Sequence, residues 1–333
     1  MSYEATFMRT DDELAAFLAE RWADLFLPRE RIAVKMHMGE PGSRTFLPAS
    51  FARRIIDVLR DRGCLPFIFD SPVVYAGPRN TADAYARAAA AHGYTEDAIG
   101  APIVISNRST PLAGTRMTYH ASSDPLEADG VVLLTHVKGH VACGMGGAIK
   151  NVGMGCMAKE TKGAIHTGGE PVYTDGCTQC GTCVENCPTE NIRIDDGRPA
   201  FDRTWCPGCS NCALVCPENC IIPKTAPFDE LLAEAAVLAE ARFRKRYAVN
   251  VLRNITKLCD CVADAGPIIL PDVGVVCAED MLTADVASLE MVRRASGHED
   301  LFAEYCFHSP WEHVRAAARS MERSATASIR ELA

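Results

Sequence analysis

Cysteines at one fixed spacing, twice over, constrain this chain more than any other feature. From Cys177 it reads CTQCGTCVENCP, and from Cys206 it reads CPGCSNCALVCP. Each block has the form C-x2-C-x2-C-x3-C-P, and the second repeats the first 29 residues on, Cys177 to Cys206 and Cys187 to Cys216. Three closely spaced thiolates can take three corners of one iron–sulfur cubane. The fourth, turned away by the proline after it, reaches the other cubane. The spacing therefore assigns Cys177, Cys180, Cys183 and Cys216 to one [4Fe–4S] cluster. It assigns Cys206, Cys209, Cys212 and Cys187 to a second. Isolated CxxC pairs can also hold structural zinc, but two complete copies with Pro188 and Pro217 in register argue for the cubanes. Between the blocks, Ile192–Ile194, Asp196-Gly197 and Pro199–Asp202 read as a short hairpin.

This is the spacing of a bacterial two-cluster ferredoxin, yet it occupies a small part of 333 residues. The whole sequence is 48% hydrophobic and 23% charged, and its length is enough for a large buried core. A net charge of −9 argues against nucleic acid, whose binding relies on cationic side chains meeting phosphates. Of sixteen cysteines, eight serve as cluster ligands and the others lack the spacing of a disulfide framework, so a reducing, cytoplasmic setting is expected. The N-terminal stretch lacks a basic region followed by an apolar one, and no apolar run reaches the ~20 residues that span a bilayer.

Along the chain, apolar periodicity predicts helices at Asp11–Leu27, with Thr10 or Asp11 as N-cap, and at Pro48–Asp61, Thr81–Ala91, Phe228–Arg244, Thr283–Arg294 and Trp311–Leu332. Strands are predicted at Ile32–Met38, Leu65–Asp70, Pro102–Ser106, Val131–Thr135, Tyr247–Val251 and Pro267–Leu270. The alternation is that of an α/β fold with a parallel or mixed sheet. Since it resumes after the cysteines, the expected organisation is a discontinuous α/β body, residues 1–173 and 224–333, with a ferredoxin-like insert at residues 174–223.

Two stretches of the body could carry chemistry. In HVKGH, a period of two puts His136, Lys138 and His140 on one face, beyond the carboxyl end of a strand, where open α/β sheets bind ligands. Between Thr135 and His166, Lys138, Lys150, Lys159 and Lys162 face one acid, Glu160. This local positive excess, with many glycines, predicts an anion site, although the cations could instead offset the clusters' charge. The stretch fits neither a P-loop nor a dinucleotide fingerprint. In KMHMGEPGSR, Lys35 and His37 alternate with methionines, and a shared crevice with the loop SPVVYAGPRN is expected.

Among the remaining cysteines, Cys64, Cys277 and Cys306 read as core, and Cys220 as packed beside a cluster. Cys259 and Cys261 form a C-D-C. A further metal site, a third iron–sulfur cluster or single metal, is expected from Cys156, Cys259 and Cys261, with Cys143 as an alternative ligand. A redox-active or structural pair is the competing reading.

Together, KMHMGEPG, FDSPVVYAGPRN, HVKGH, GGAIKNVGMGC, the two cysteine blocks, CDC and PDVGVV resemble the domain-of-unknown-function family 362. The resemblance covers most of the chain and implies an inserted ferredoxin domain and iron–sulfur redox behaviour, but no substrate. The expected function is a low-potential iron–sulfur oxidoreductase, fed by a donor such as ferredoxin or flavodoxin. It would pass single electrons to a small anionic substrate in a pocket of His136, Lys138, His140, Lys150, Lys35 and His37. The alternatives are a dedicated electron carrier or docking protein for a larger redox complex, and a metal-centre maturation factor.

Overall fold

Apolar runs such as Gly130–His136 (GVVLLTH) have no polar face to give to water, so both of their sides must be covered. The computed structural model, which describes residues 3–332, covers them with helices on both faces of a mixed sheet. Among the described residues the sheet has eight strands. These are β1 (Glu4–Met8), β2 (Arg31–Lys35), β3 (Leu65–Asp70), β4 (Ile103–Ile105), β5 (Gly130–His136), β6 (Arg246–Leu252), β7 (Gly274–Ala278) and β8 (Ser328–Leu332). Their order is β8-β1-β7-β6-β5-β2-β3-β4. The strands from β4 through β6 pair parallel, and β7 lies antiparallel to both its neighbours.

The two-residue period of the strands divides the core. Val131 and Leu133 pack to one side of β5, and Val132 and Leu134 to the other. Helices α1 (Leu14–Arg21), α2 (Ala49–Asp61) and α3 (Ala82–Ala91) cover the second side. α2 buries Phe51, Ile55, Ile56 and Leu59 and turns Arg54 and Arg60 to solvent. The first side is covered by α4 (Ala148–Gly153), α5 (Lys159–Gly168), α6 (Phe228–Glu240), α7 (Met281–Ser296) and α8 (Trp311–Ser320). Thr81 caps α3 through the Ala84 amide, and Asp280 caps α7 through the Thr283 amide at 2.8 Å.

Three expectations are corrected. The C-terminal segment is not helical throughout: α8 ends at Ser320, and β8 then pairs in parallel with β1. Neither Thr10 nor Asp11 caps α1, because the Asp11 carboxylate is taken by Arg54 and by Arg253 at 2.8 Å, and Glu13 occupies the cap position. Pro267–Leu270 is shorter than expected and lies outside the main sheet, Ile268–Leu270 pairing with Ile255–Thr256.

The connection from β5 to β6 contains the cysteine-rich segment. Its ends are drawn together by an antiparallel pair, Pro171 opposite Pro223 and Tyr173 opposite Ile221. The expected hairpin is there, Ile192–Asp195 against Arg198–Phe201, with Asp196 and Gly197 both at positive φ as a tight two-residue turn requires. The chain runs outward through β2, β3 and β4 and then returns to place β5 on the other side of β2. Such a reversal leaves a crevice beyond the carboxyl ends of the two strands. Lys35 ends β2 and His136 ends β5.

Candidate functional site

In the cysteine-rich segment the 29-residue repeat extends to the backbone. Helical turns Thr182–Glu185 and Asn211–Leu214 correspond. So do three positive-φ pairs: Gln179 with Gly208, Gly181 with Ser210, and Glu190 with Asn219. These left-handed positions bend each loop around a cavity. One cavity is lined by Cys177, Cys180, Cys183 and Cys216, with Cys220 at its wall. The other is lined by Cys187, Cys206, Cys209 and Cys212. Backbone amides point at sulfur, Gln179 N to Cys177 Sγ at 3.4 Å and Asn191 N to Cys187 Sγ at 3.3 Å. All eight cysteines are free thiols. Burial pushes Cys209 up to about 12, with neighbouring sulfurs adding to the shift. Such a thiol stays protonated until a metal takes its place as counter-charge, so the donor set fits iron–sulfur ligation. Cys220 sits where the first block has Asn191, its sulfur 3.5 Å from that of Cys216.

The second cavity abuts the body. His166 on α5 meets the Pro207 carbonyl at 2.7 Å, Ser210 Oγ donates to Gly169 O at 2.9 Å, and Asn211 Nδ2 donates to Phe307 O at 2.9 Å.

At the crevice, α4 is fixed from both ends. The Asp285 carboxylate accepts from the amides of Ala148 and Ile149 at 2.7 and 2.8 Å. Asn151 donates to Leu134 O and Thr135 Oγ1, while its Oδ1 accepts from Lys35 Nζ at 2.8 Å. Lys35 is buried and also pairs with Asp70 at 3.0 Å, whose other oxygen accepts from Tyr85. The loops after β2 and β3 meet here, Arg79 binding Glu40, the Tyr75 hydroxyl and His37 Nε2. Burial, with Arg79, Lys150, Lys35 and Lys162 around it, holds His37 well below the usual imidazole range. Lys162 donates to Ser71 Oγ, Ser71 O and Pro72 O, and burial pushes it down to about 7. Lys150 differs from these: among the described residues its ammonium has no oxygen acceptor, only Cys259 Sγ at 4.0 Å. Burial, with Lys35 and Arg79 nearby, holds it below the usual lysine range.

His136, Lys138 and His140 do not act as one set. His136 meets Asp260 Oδ2 at 2.7 Å and Arg253 O at 2.8 Å. Lys138 binds Asn254 O and lies 3.8 Å from Asp260 Oδ1. Burial pushes Lys138 down to about 8. Both residues thus hold the middle residue of C-D-C, whose carbonyl also accepts from Glu40 N at 2.8 Å. His140 lies within 4.8 Å of the sulfurs of Cys259 and Cys261, which are joined as a disulfide. Cys156 is buried and is not part of this group; Cys143 instead contacts His140 Nδ1 at 3.2 Å. Cys64, Cys277 and Cys306 are buried. Sequence reasoning did not find Asn151, Asp260 or Asp285. For Asp260 the signal was available, an acid between two cysteines, but its partners lie more than a hundred residues away.

Fold and site together define an α/β protein that carries an iron–sulfur segment within its chain. It belongs to the family described as "Domain of unknown function (DUF362)", which matches residues 32–290. Over 58 residues, 17% of the chain, it is 38% identical to an uncharacterized ferredoxin of Methanocaldococcus jannaschii, spanning 36% of that protein. Over 55 residues, 15% of the chain, it is 36% identical to a ferredoxin of Chlorobaculum thiosulfatiphilum, spanning 90% of it. The cysteine-rich segment is thus ferredoxin-like, an iron–sulfur electron-transfer unit. Among solved structures the chain is distantly similar to the lactate racemase apoprotein from Thermoanaerobacterium thermosaccharolyticum. There the TM-score is 0.46 at 12% identity, covering 88% of this chain and 57% of that one. No helix among the described residues is long and apolar enough to cross a membrane.

Proposed function

We propose that the chain is an iron–sulfur oxidoreductase that takes single electrons from a low-potential donor of the ferredoxin or flavodoxin class and reduces a small anionic substrate held at the crevice. Two [4Fe–4S] clusters, one on Cys177, Cys180, Cys183 and Cys216 and one on Cys206, Cys209, Cys212 and Cys187, would supply the single-electron chemistry when bound. The observation that carries the reading is Lys150, an ammonium with no oxygen acceptor among the described residues. It stands on a helix fixed by Asp285 and Asn151 beside the cationic Lys35 and Arg79. A carboxylate or oxyanion meeting Lys150 gains a charge-assisted hydrogen bond in a region that few waters screen. Lys35 and Arg79, already paired with Asp70 and Glu40, contribute field rather than direct contact. Lys162, near 7, is the group whose proton is exchangeable at neutral pH as negative charge builds on the substrate. His136 and Lys138 position the C-D-C loop through Asp260.

The test is calorimetric titration of the cluster-loaded protein, without oxygen, with a panel of small carboxylates and inorganic oxyanions. Lys150→Ala is expected to weaken the best binder at least tenfold with the visible spectrum unchanged. The best binder should also reoxidise dithionite-reduced wild type. A panel that neither binds nor reoxidises the reduced protein would reject the substrate half of the proposal and leave an electron carrier. An exposed Cys180 at the outer cavity suits either role, since it opens that cavity to a donor.

A further inference from the structure

We infer a metal site outside the ferredoxin-like segment: reduced Cys259 and Cys261, with His140, take one zinc-type divalent cation and leave a fourth position open toward Lys150. The ligand atoms of the three residues lie within 4.8 Å of one another. Two thiolates and one imidazole are a donor set suited to zinc, and three protein ligands are the number that leaves room for a further one.

The site is held from several directions. His140 ends a short strand, Lys138–His140, paired with Gly144–Gly146. That strand lies so close to the neighbouring loop that a Cβ on Gly139 would meet Lys257 O at 2.1 Å. The C-D-C loop is pinned through Asp260 by His136 and Lys138, and through the Cys261 carbonyl by Tyr75 and Arg79, each at 3.1 Å. The imidazole is prepared as well. The Ala142 amide and Cys143 Sγ both lie 3.2 Å from Nδ1, and Nε2 has no partner among the described residues. The Ala142 amide donates to Nδ1, so ligation through Nε2 requires the proton to move to Nδ1, exchanging that contact for one to the Cys143 sulfur, the kind of outer contact that orients a ligating histidine. Lys150, 4.0 Å from Cys259 Sγ, offsets thiolate charge.

In the structure the two sulfurs are bonded to each other. Two electrons and two protons break that bond and give two thiols. In the cell, two turnovers of a one-electron donor of the ferredoxin class can supply the electrons; in the assay a phosphine does. Both protons leave to solvent as the metal binds. The site is therefore available only after reduction.

The experiment uses cluster-loaded protein without oxygen, treated with tris(2-carboxyethyl)phosphine, given zinc chloride and desalted. Zinc is then counted, and its coordination is read by X-ray absorption at the zinc edge. The expected result is one zinc per chain, with two sulfurs at about 2.3 Å and nitrogen at about 2.0–2.1 Å. It should be lost in a Cys259→Ser/Cys261→Ser variant of unchanged iron content. His140→Gln should keep the sulfur shell, lose the imidazole scattering and bind at least tenfold more weakly. Lys150→Ala should retain zinc, so that the fate of this site is read separately from that of the anion site. No zinc in reduced wild type, or equal zinc in wild type and the double variant, would overturn the inference and leave a disulfide pair without a metal.

Discussion

The imidazole of His166 and the carbonyl of Pro207 meet at 2.7 Å, joining a helix of the α/β body to the loop between Cys206 and Cys209. The second cysteine cavity is thereby set against the body, whereas Cys180, on the first, is exposed. The direction of electron flow in the proposed function follows from this asymmetry, from the exposed cavity inward.

Cys187 lies in sequence with the first block but lines the cavity of the second. Cys187→Ser is expected to reproduce the spectroscopic loss of Cys206→Ser, not that of Cys177→Ser, with iron content falling by about half. Paramagnetic resonance of the reduced proteins compares the three. A match to Cys177→Ser would overturn the crossed assignment.

Two glycines of the segment separate backbone freedom from close approach. Both have positive φ, +63° at Gly208 and +82° at Gly181. A Cβ on Gly208 would lie 1.9 Å from the His166 carbonyl oxygen, whereas one on Gly181 meets nothing within 4 Å. Gly181→Ala should cost about 1 kcal/mol, the left-handed penalty alone. Gly208→Ala should in addition displace the loop from α5 and lower cluster occupancy. Thermal unfolding and iron counts of the two variants check this.

Anion affinity should rise as pH falls from 8 to 6. Lys162 has its pKa pushed down by burial to about 7, so it gains its charge within this window. Lys162→Met should flatten the profile while leaving binding at pH 8 within about twofold of wild type. A steep profile in the variant would assign the effect to another group.

Stability should also fall as pH rises, through Glu240. Burial raises this carboxyl to about 7, against Arg246, which favours its charge. The folded chain therefore holds a proton that the unfolded chain releases near pH 4.3, and stability falls as pH rises between these values. Glu240→Gln removes that dependence. Relative to wild type it should gain on the order of 3 kcal/mol between pH 4 and pH 8, read by denaturant unfolding at both.

Local patterns made the chain legible where the partners are near in sequence. The cysteine spacing, the Asp196-Gly197 turn and the apolar period of α2 are of this kind, and the repeat extends to matched φ angles. The C-terminal strand was not legible, because Ser328–Leu332 has weak strand character and owes its form to pairing with Glu4–Met8 at the far end of the chain. The same limit applies at the crevice. A period of two grouped His136, Lys138 and His140, but the partners that divide them, Asp260 and the cysteine pair, come from a loop much later in the sequence.

The strand pair that draws Pro171 toward Pro223 also bears on how the chain assembles. β5 and β6 are neighbours in the sheet, yet the whole ferredoxin-like segment lies between them in sequence. Until that segment is ordered, pairing them closes one of the longest loops in the molecule. Once its ends are joined, the loop is effectively shorter. The equilibrium saving is small, since halving a loop is worth only about 0.6 kcal/mol. The order of events is affected more, because distant pairings form slowly and leave apolar strands uncovered while they wait. Synthesis under iron limitation would thus leave nascent chains longer in a state whose central strands are unpaired.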